Sequence, residues 1–305
     1  MLCTPLMPSG ESLVLLRSGL SVRQIAAELQ AAGVIRSVPA FLALHAAKGR
    51  PSLKAGEYRF DHPADTFEIL DRVARGDVIV RTVIVPEGYN MFEVADAVAA
   101  AGLSTRQQFL EAARTELSLV SDLDPAATSL EGYLFPDTYQ LTRAQGPREI
   151  AAAMVRRFRQ EAAALGLASD LHRTVVLASI VEKETSVPEE RPLVAGVYQN
   201  RLQRNMVLAA DPTVVYGALL AARYRGAIHQ SDLAFDSPYN TYHRAGLPPG
   251  PIANPGRDSL RAAMQPASTS YVYFVSDAHG RHRFAATAAE HSRNVAAYRR
   301  EIRRR

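Results

Sequence analysis

The sequence lacks most of the parts from which familiar sites are built. It contains one cysteine, Cys3, so neither a disulfide framework nor a cysteine-based metal site can form within the chain. It has no tryptophan, although its 12 tyrosines can still offer flat faces to a sugar ring. Its purely apolar runs are short, such as Leu13 to Leu16, whereas a membrane span needs roughly 20 apolar residues. The start, MLCTPLMPSG, has no charged region followed by an apolar stretch, so no secretory signal is read there. As written, the chain is expected to be neither exported nor anchored by its own start. No GxxxxGK[ST] or GxGxxG phosphate loop, HExxH helix, EF-hand loop or GxSxG elbow is present. These absences remove nucleotide-binding, zinc-protease and standard serine-hydrolase readings. His279 and His282 flank a turn and are read as turn residues rather than metal ligands. No metal and no cofactor is expected.

What remains is the composition of a globular protein. The 305 residues are 47% hydrophobic and 22% charged, enough for two domains with a real core in at least one. The net charge is +4, and much of the excess lies in YRREIRRR, Tyr298 to Arg305. Such a run suits a solvated helix end, where cations also complement the helix dipole. Contact with anionic lipid or an acidic polymer is the sharper alternative. Nucleic acid is not expected, because no basic and aromatic residues interleave.

The first half contains a repeat. SLVLLRSGLSVRQIAAELQAAGV (Ser12 to Val34) matches RTVIVPEGYNMFEVADAVAAAGL (Arg81 to Leu103). Gly19 aligns with Gly88, Ile25 with Val94, Leu29 with Val98 and Gly33 with Gly102, each pair 69 residues apart. Each copy reads as a strand, a glycine turn and an amphipathic helix ended by glycine. Between the copies, LKAGEYRF reads as a strand, FEILDRVARG as a helix and VIVRTVIV as a returning strand. The expected organisation is a small α/β module over residues 1–80 and a second domain over 81–305 that begins by repeating the module's pattern.

Beyond Pro147 the pattern is helical. PREIAAAMVRRFRQEAAALG is amphipathic, RTVVLASIVEKET is apolar almost all round, and ERPLVAGVYQNRLQRNM is a further helix. DPTVVYGALL starts with Asp211 as its expected N-cap and Pro212 at the first helical position. The segment Ser237 to Ser259 holds five prolines and three glycines and is expected to be an ordered loop. YVYFVSDAHGRHRFAAT reads as a β-hairpin turning near Ala278 to Gly280, followed by a final helix. The fold class is therefore α+β: a small α/β module, then a mixed, largely helical domain with short strands and a hairpin.

The candidate chemistry rests on acids. Glu131 heads the run LEGYLFPDTYQL, beside Gly132 and among Tyr133, Phe135 and Tyr139. Apolar surroundings raise a carboxylic acid's pKa, which is what a general acid requires near neutral pH. On the residues alone, an acid at the surface of an edge strand is the leading reading. Asp137 sits in turn chemistry, Pro-Asp-Thr. Glu182 and Glu184 lie at the end of the apolar helix, where an acid opposes the dipole. Either a cation such as Lys183 or Arg201 compensates them, or a function does.

Taken in order, LEGYLFPDTY, ASIVEKET, NRL, DPTVVYG, YNTY, GLPPGPIANPG and YVYFV resemble the endolytic murein transglycosylases of the MltG (YceG-like) family. The resemblance runs from about Leu13 almost to the C-terminus, and the repeated module resembles that family's LysM-like domain. It implies cleavage of the β-1,4 bond between N-acetylmuramic acid and N-acetylglucosamine within glycan strands, leaving 1,6-anhydro ends and ending strand elongation. It implies Glu131 as the catalytic acid. Tyr133, Asp137, Tyr139, Glu182, Glu184, Asn240 and Tyr242 are expected to line the cleft or support the acid. Implied partners are peptidoglycan strands and cell-wall synthases. The resemblance also implies an inner-membrane anchor facing the periplasm, a helix that this chain as written does not contain. A non-catalytic glycan-binding scaffold and a lysozyme-like hydrolase pairing Glu131 with Glu182 or Glu184 remain the alternatives.

Overall fold

Two short strands with apolar faces start the fold. In the computed structural model, which describes residue 6 and residues 12–303, β1 (Ser12–Leu16) pairs antiparallel with β2 (Gly56–Phe60), Ser12 opposite Phe60 and Leu16 opposite Gly56. Strand alternation turns Val14 and Leu16 of β1 inward, where Tyr58 and Phe60 of β2 join them. Between the strands run α1 (Val22–Ala31) and α2 (Val38–Ala47), and α3 (Thr66–Arg75) follows β2. Ile25, Leu29, Phe41, Ile69, Leu70 and Val73 complete this core.

The chain forms two compact units. The first comprises Met1–Ile84, Ala95–Phe109 and Thr138–Ile150; the second comprises Val85–Val94, Leu110–Asp137 and Ala151–Arg305. Besides the module just described, the first unit contains a second antiparallel pair. Here β3 (Arg81–Ile84) lies against β4 (Thr138–Leu141), Arg81 opposite Leu141. The buried Glu57 of β2 accepts from Arg81 at 2.9 Å and Arg143 at 2.8 Å. These guanidinium partners outweigh the opposing effect of burial and hold its carboxyl below the usual range.

The repeat is real in three dimensions. The helix of the second copy, α4 (Met91–Ala100), buries Val94, Ala95 and Val98 as α1 buries Ile25, Ala26 and Leu29. All four repeat glycines are left-handed: Gly19 (φ 85°), Gly33 (φ 70°), Gly88 (φ 78°) and Gly102 (φ 67°). The cap is repeated too. Ser21 and Gln24 close a capping box on α1, and Asn90 and Glu93 close the corresponding one on α4, with Asn90 Oδ1 accepting from the amides of Phe92 and Glu93.

After α5 (Arg106–Thr115) and α6 (Pro147–Leu165), the second unit is built around α7 (Leu171–Glu184), whose residues from Thr174 to Val181 are all buried. Packed with it are α8 (Arg191–Gln203), α9 (Asp211–Leu220) and α11 (Arg257–Met264), while the single turn α10 (Gln230–Leu233) packs on α9. The hairpin is β5 (Tyr273–Ser276) with β6 (His282–Ala285), and α12 (Ala288–Ile302) packs on it. The proline-rich segment from Ser237 is an ordered loop up to the start of α11.

Three local expectations change. Asp211 is not the cap of α9: Ala210 occupies that position without a side-chain cap, and Asp211 opens the helix and accepts from the Tyr242 hydroxyl. The returning strand is only Arg81–Ile84 rather than residues 78–85. The run after Glu131 is no strand until Thr138, because left-handed Gly132 (φ 87°) and Pro136 put it into turns. Cys3 and the last two arginines of the basic run lie outside the described residues.

Gly196 in α8 marks a close approach: a Cβ there would stand 2.4 Å from the carbonyl oxygen of Ala267. Elsewhere in a helix, glycine to alanine gains up to about 1 kcal/mol. Here Gly196→Ala is expected to cost about 1–3 kcal/mol through overpacking, read as a lower urea midpoint; a stabilised variant would contradict this packing.

Candidate active site

The second copy of the repeat supplies a helix start, and a carboxyl sits on it. Glu131 is 1% exposed. The backbone N–H of Met91, the first residue of α4, donates to both of its oxygens, at 3.1 Å to Oε1 and 2.9 Å to Oε2. Asn254, itself 0% exposed, donates through Nδ2 to Oε1 at 3.0 Å. The Tyr216 hydroxyl and the Gly132 amide also bond to the carboxyl. Burial nevertheless dominates and raises its pKa to about 8, with Glu93 adding repulsion. The site thus holds a protonated carboxylic acid at neutral pH, fixed by donors that also stabilise the anion once the proton leaves.

Asn254 ties three chain segments to that acid. Its Nδ2 also donates to the carbonyl of Tyr89, its Oδ1 accepts from the Leu134 amide, and its backbone amide and carbonyl pair with Tyr89 and Gly88. Gly132 must be glycine for two reasons. Its φ is left-handed, and a Cβ would stand 2.5 Å from Pro251 Cγ and 2.7 Å from Val175 Cγ1. The acid is therefore held from behind by α7 and the proline-rich loop.

In front lies a cleft of about 500 Å³. Met91, Tyr216 and Tyr239 belong both to its wall and to the immediate surroundings of Glu131. Thr128, Ser129, Phe235, Pro238, Leu220 and Arg114 continue the wall. It is mostly apolar, with two tyrosine rings 5.0 Å apart between centroids. No group of three potential metal ligands occurs among the described residues.

The sequence profile of the YceG-like family matches residues 14–297. The chain belongs to the YceG-like family. A protein named endolytic murein transglycosylase from Bacillus subtilis is 32% identical over 90% of this chain and 81% of its own. The Streptococcus pneumoniae protein of that name (strain D39) is 29% identical over 91% of this chain but only 56% of its own length. A crystal structure of the yceG-like protein lmo1499 from Listeria monocytogenes superposes with a TM-score of 0.61, at 29% identity, covering 93% of this chain and 98% of that one. No described helix of this chain is long and apolar enough to cross a membrane.

Within this family member, the other residues singled out from the sequence scatter. Tyr133 is a core tyrosine: its hydroxyl donates to the buried Asp124, which also pairs with His172, and its ring meets Phe158 edge-on. Asp137 binds Arg157 at 2.6 Å. Tyr139 lies in β4 opposite Val83, in the first unit. Glu182 is compensated by Arg191 at 3.0 Å and by the Gly256 amide at 3.0 Å, not by Lys183, which donates to the Gly88 carbonyl. Glu184 accepts from the Tyr198 hydroxyl at 2.9 Å, and burial raises its pKa to about 7. Asn240 is buried and spends its amide on the carbonyls of Leu233 and Phe235, so it locks a loop. Tyr242 is partly exposed against Asp211.

Sequence reasoning missed Asn254, Tyr216 and the Met91 amide. Asn254 and Tyr216 stand in motifs already noted, GLPPGPIANPG and DPTVVYG. The Asn90-x-x-Glu93 spacing signals the capped helix start that presents the amide.

Two outcomes test this site. In unfolded chains Glu131 ionises near 4.5, whereas in the fold it keeps its proton to about 8. Below the lower value its contribution is fully present; it is lost as pH rises toward the upper one. Relative to Glu131→Gln, the wild type should lose up to about 1.4 kcal/mol per pH unit in that window in urea titrations, and parallel pH profiles would contradict the raised pKa. Asn254→Ala leaves the buried Leu134 amide unpaired and should cost about 1–3 kcal/mol by the same measurement.

Proposed function

We propose that this protein is an endolytic lytic transglycosylase that cleaves the β-1,4 bond between N-acetylmuramic acid and N-acetylglucosamine within peptidoglycan strands. The observation that carries the reading is one fully buried, proton-bearing acid, Glu131, held at a helix start behind a tyrosine-walled cleft. The names of the relatives point to the same substrate. A hydrolase would need a second carboxylate at a defined separation to activate water. Among the described residues, Glu182 is committed to Arg191 and the Gly256 amide, and Glu184 accepts from the Tyr198 hydroxyl, which disfavours both pairings.

In this reading Glu131 works twice. As the acid it gives its proton to the leaving glycosidic oxygen while the bond to C1 breaks and C1 takes on oxocarbenium character. As the carboxylate it then takes the proton of the C6 hydroxyl as O6 bonds to C1. No water is consumed, and the attack gains from being intramolecular. A raised pKa suits the first step, and the Met91 and Asn254 donors suit the second, because they hold the anion in place. The Tyr216 and Tyr239 wall must part to admit the bond. By ending strands internally the enzyme would terminate their elongation, at the periplasmic face of the inner membrane and beside cell-wall synthases. Residues 1–80 would act as a LysM-like glycan-binding module, and residues 81–305 as the catalytic domain.

Purified glycan strands incubated with the protein should yield 1,6-anhydro ends by mass spectrometry, and Glu131→Gln should lower the rate at least about a hundredfold. Reducing ends would establish hydrolysis instead, and absence of cleavage would leave a binding protein.

A further inference from the structure

The cleft carries a cation that the fold does not use. Arg114, in the last turn of α5, lines the cleft and makes no hydrogen bond or ion pair among the described residues. Its guanidinium stands over the Phe92 ring, 5.8 Å from the centroid. The Phe92 ring lies tilted at 6.4 Å from that of Tyr216, and Tyr216 lies at 5.0 Å from Tyr239. Arg114 therefore caps one end of an aromatic row whose tyrosines form the cleft wall in front of Glu131. The acidic side chain in that lining, Asp236, is already bound to Arg244 at 2.7 Å. Glu131 holds its proton at neutral pH and offers no countercharge.

The arrangement has the form of an anion-recognition site: a cation in the cleft wall, backed by an aromatic face. A guanidinium is planar, permanently charged and matched to a carboxylate by two parallel N–H donors. The cation–π contact with Phe92 restrains it without using those donors. The geometry points to Arg114 as the specificity-determining residue of the cleft, one that binds a carboxylate on the muramoyl side of the substrate while the tyrosine row carries a sugar face. This rests on the proposed glycan substrate and adds to it. Muramoyl residues carry a lactyl group whose carboxyl is either free or extended by a peptide with its own carboxylates; glucosaminyl residues are neutral. A cation at one end of the cleft would thus fix which sugar occupies which side of the cut bond.

The test compares uncross-linked glycan strands bearing free carboxylates with the same strands after conversion of those carboxylates to N-methylamides. Binding is measured to Glu131→Gln protein, with and without Arg114→Gln or Arg114→Lys, and cleavage is measured in the Glu131 background. Free-carboxylate strands should bind about tenfold more tightly than amidated ones, and Arg114→Gln should abolish that difference. Arg114→Lys should restore part of it, because the charge returns without the bidentate fork. In cleavage the loss should fall mainly on KM. A preference for free carboxylates that survives Arg114→Gln, or no preference at all, would overturn the inference. Arg114-dependent binding without any cutting would support the subsite and reject the lytic reading.

Discussion

The site depends on one interaction, the acceptance of the Met91 N–H by the buried carboxyl of Glu131. A carboxyl taken out of water is costly unless donors replace the lost hydration. Here the replacement is a helix start, whose free amides and positive end suit an anion, together with the Asn254 amide. Burial and donors pull in opposite directions. Burial prevails far enough to leave the acid protonated near neutrality, while the donors keep the charged form attainable. An acid that must both give and take a proton needs that balance.

The repeat explains where the helix start came from. Both copies make a strand, a left-handed glycine turn and a helix closed by a capping box, Ser21 with Gln24 and Asn90 with Glu93. A capping box satisfies the N-cap and N3 amides, here those of Asn90 and Glu93, with Asn90 Oδ1 also accepting from Phe92, and leaves the first helical amide free to find another partner. In the second copy that amide is Met91's, and it meets Glu131. The loop before α4 is further tied by Asn254, whose backbone and side chain both engage Tyr89. One supersecondary unit is used twice, once with its helix inside a small core and once with its helix start turned to an acid.

Sequence reading went furthest where one residue's role follows from its neighbours in the chain. The helices after Pro147, the hairpin and the repeat were legible from periodicity and glycine placement, because local geometry sets them. Glu131 was noticeable as an acid among aromatics, yet pattern alone could not separate a buried acid from a surface one. Burial is decided by distant segments: Pro251 and Val175 close on Gly132, and Asn254 arrives from more than a hundred residues away. The supporting residues were harder for the same reason. Tyr133 and Asn240 look like cleft residues in a linear motif, but their polar atoms are spent on Asp124 and on loop carbonyls. A motif holds together residues that contact a ligand and residues that only shape the loop.

This distinction bears on how the cleft acquires selectivity. The residues that fix Glu131 are all satisfied by protein groups, and so they can set its proton affinity without reading the substrate. Selectivity must come from side chains with unused capacity facing the cleft. Arg114 has it, since its charge is met by an aromatic face and by no carboxylate among the described residues. In the proposed reading, catalytic power and substrate choice fall to different ends of one aromatic row: the acid behind Tyr216 and the cation beyond Phe92. Such a separation lets the cation vary the preferred polymer while the acid keeps its pKa, because the two are linked through packed rings and not through a shared hydrogen bond.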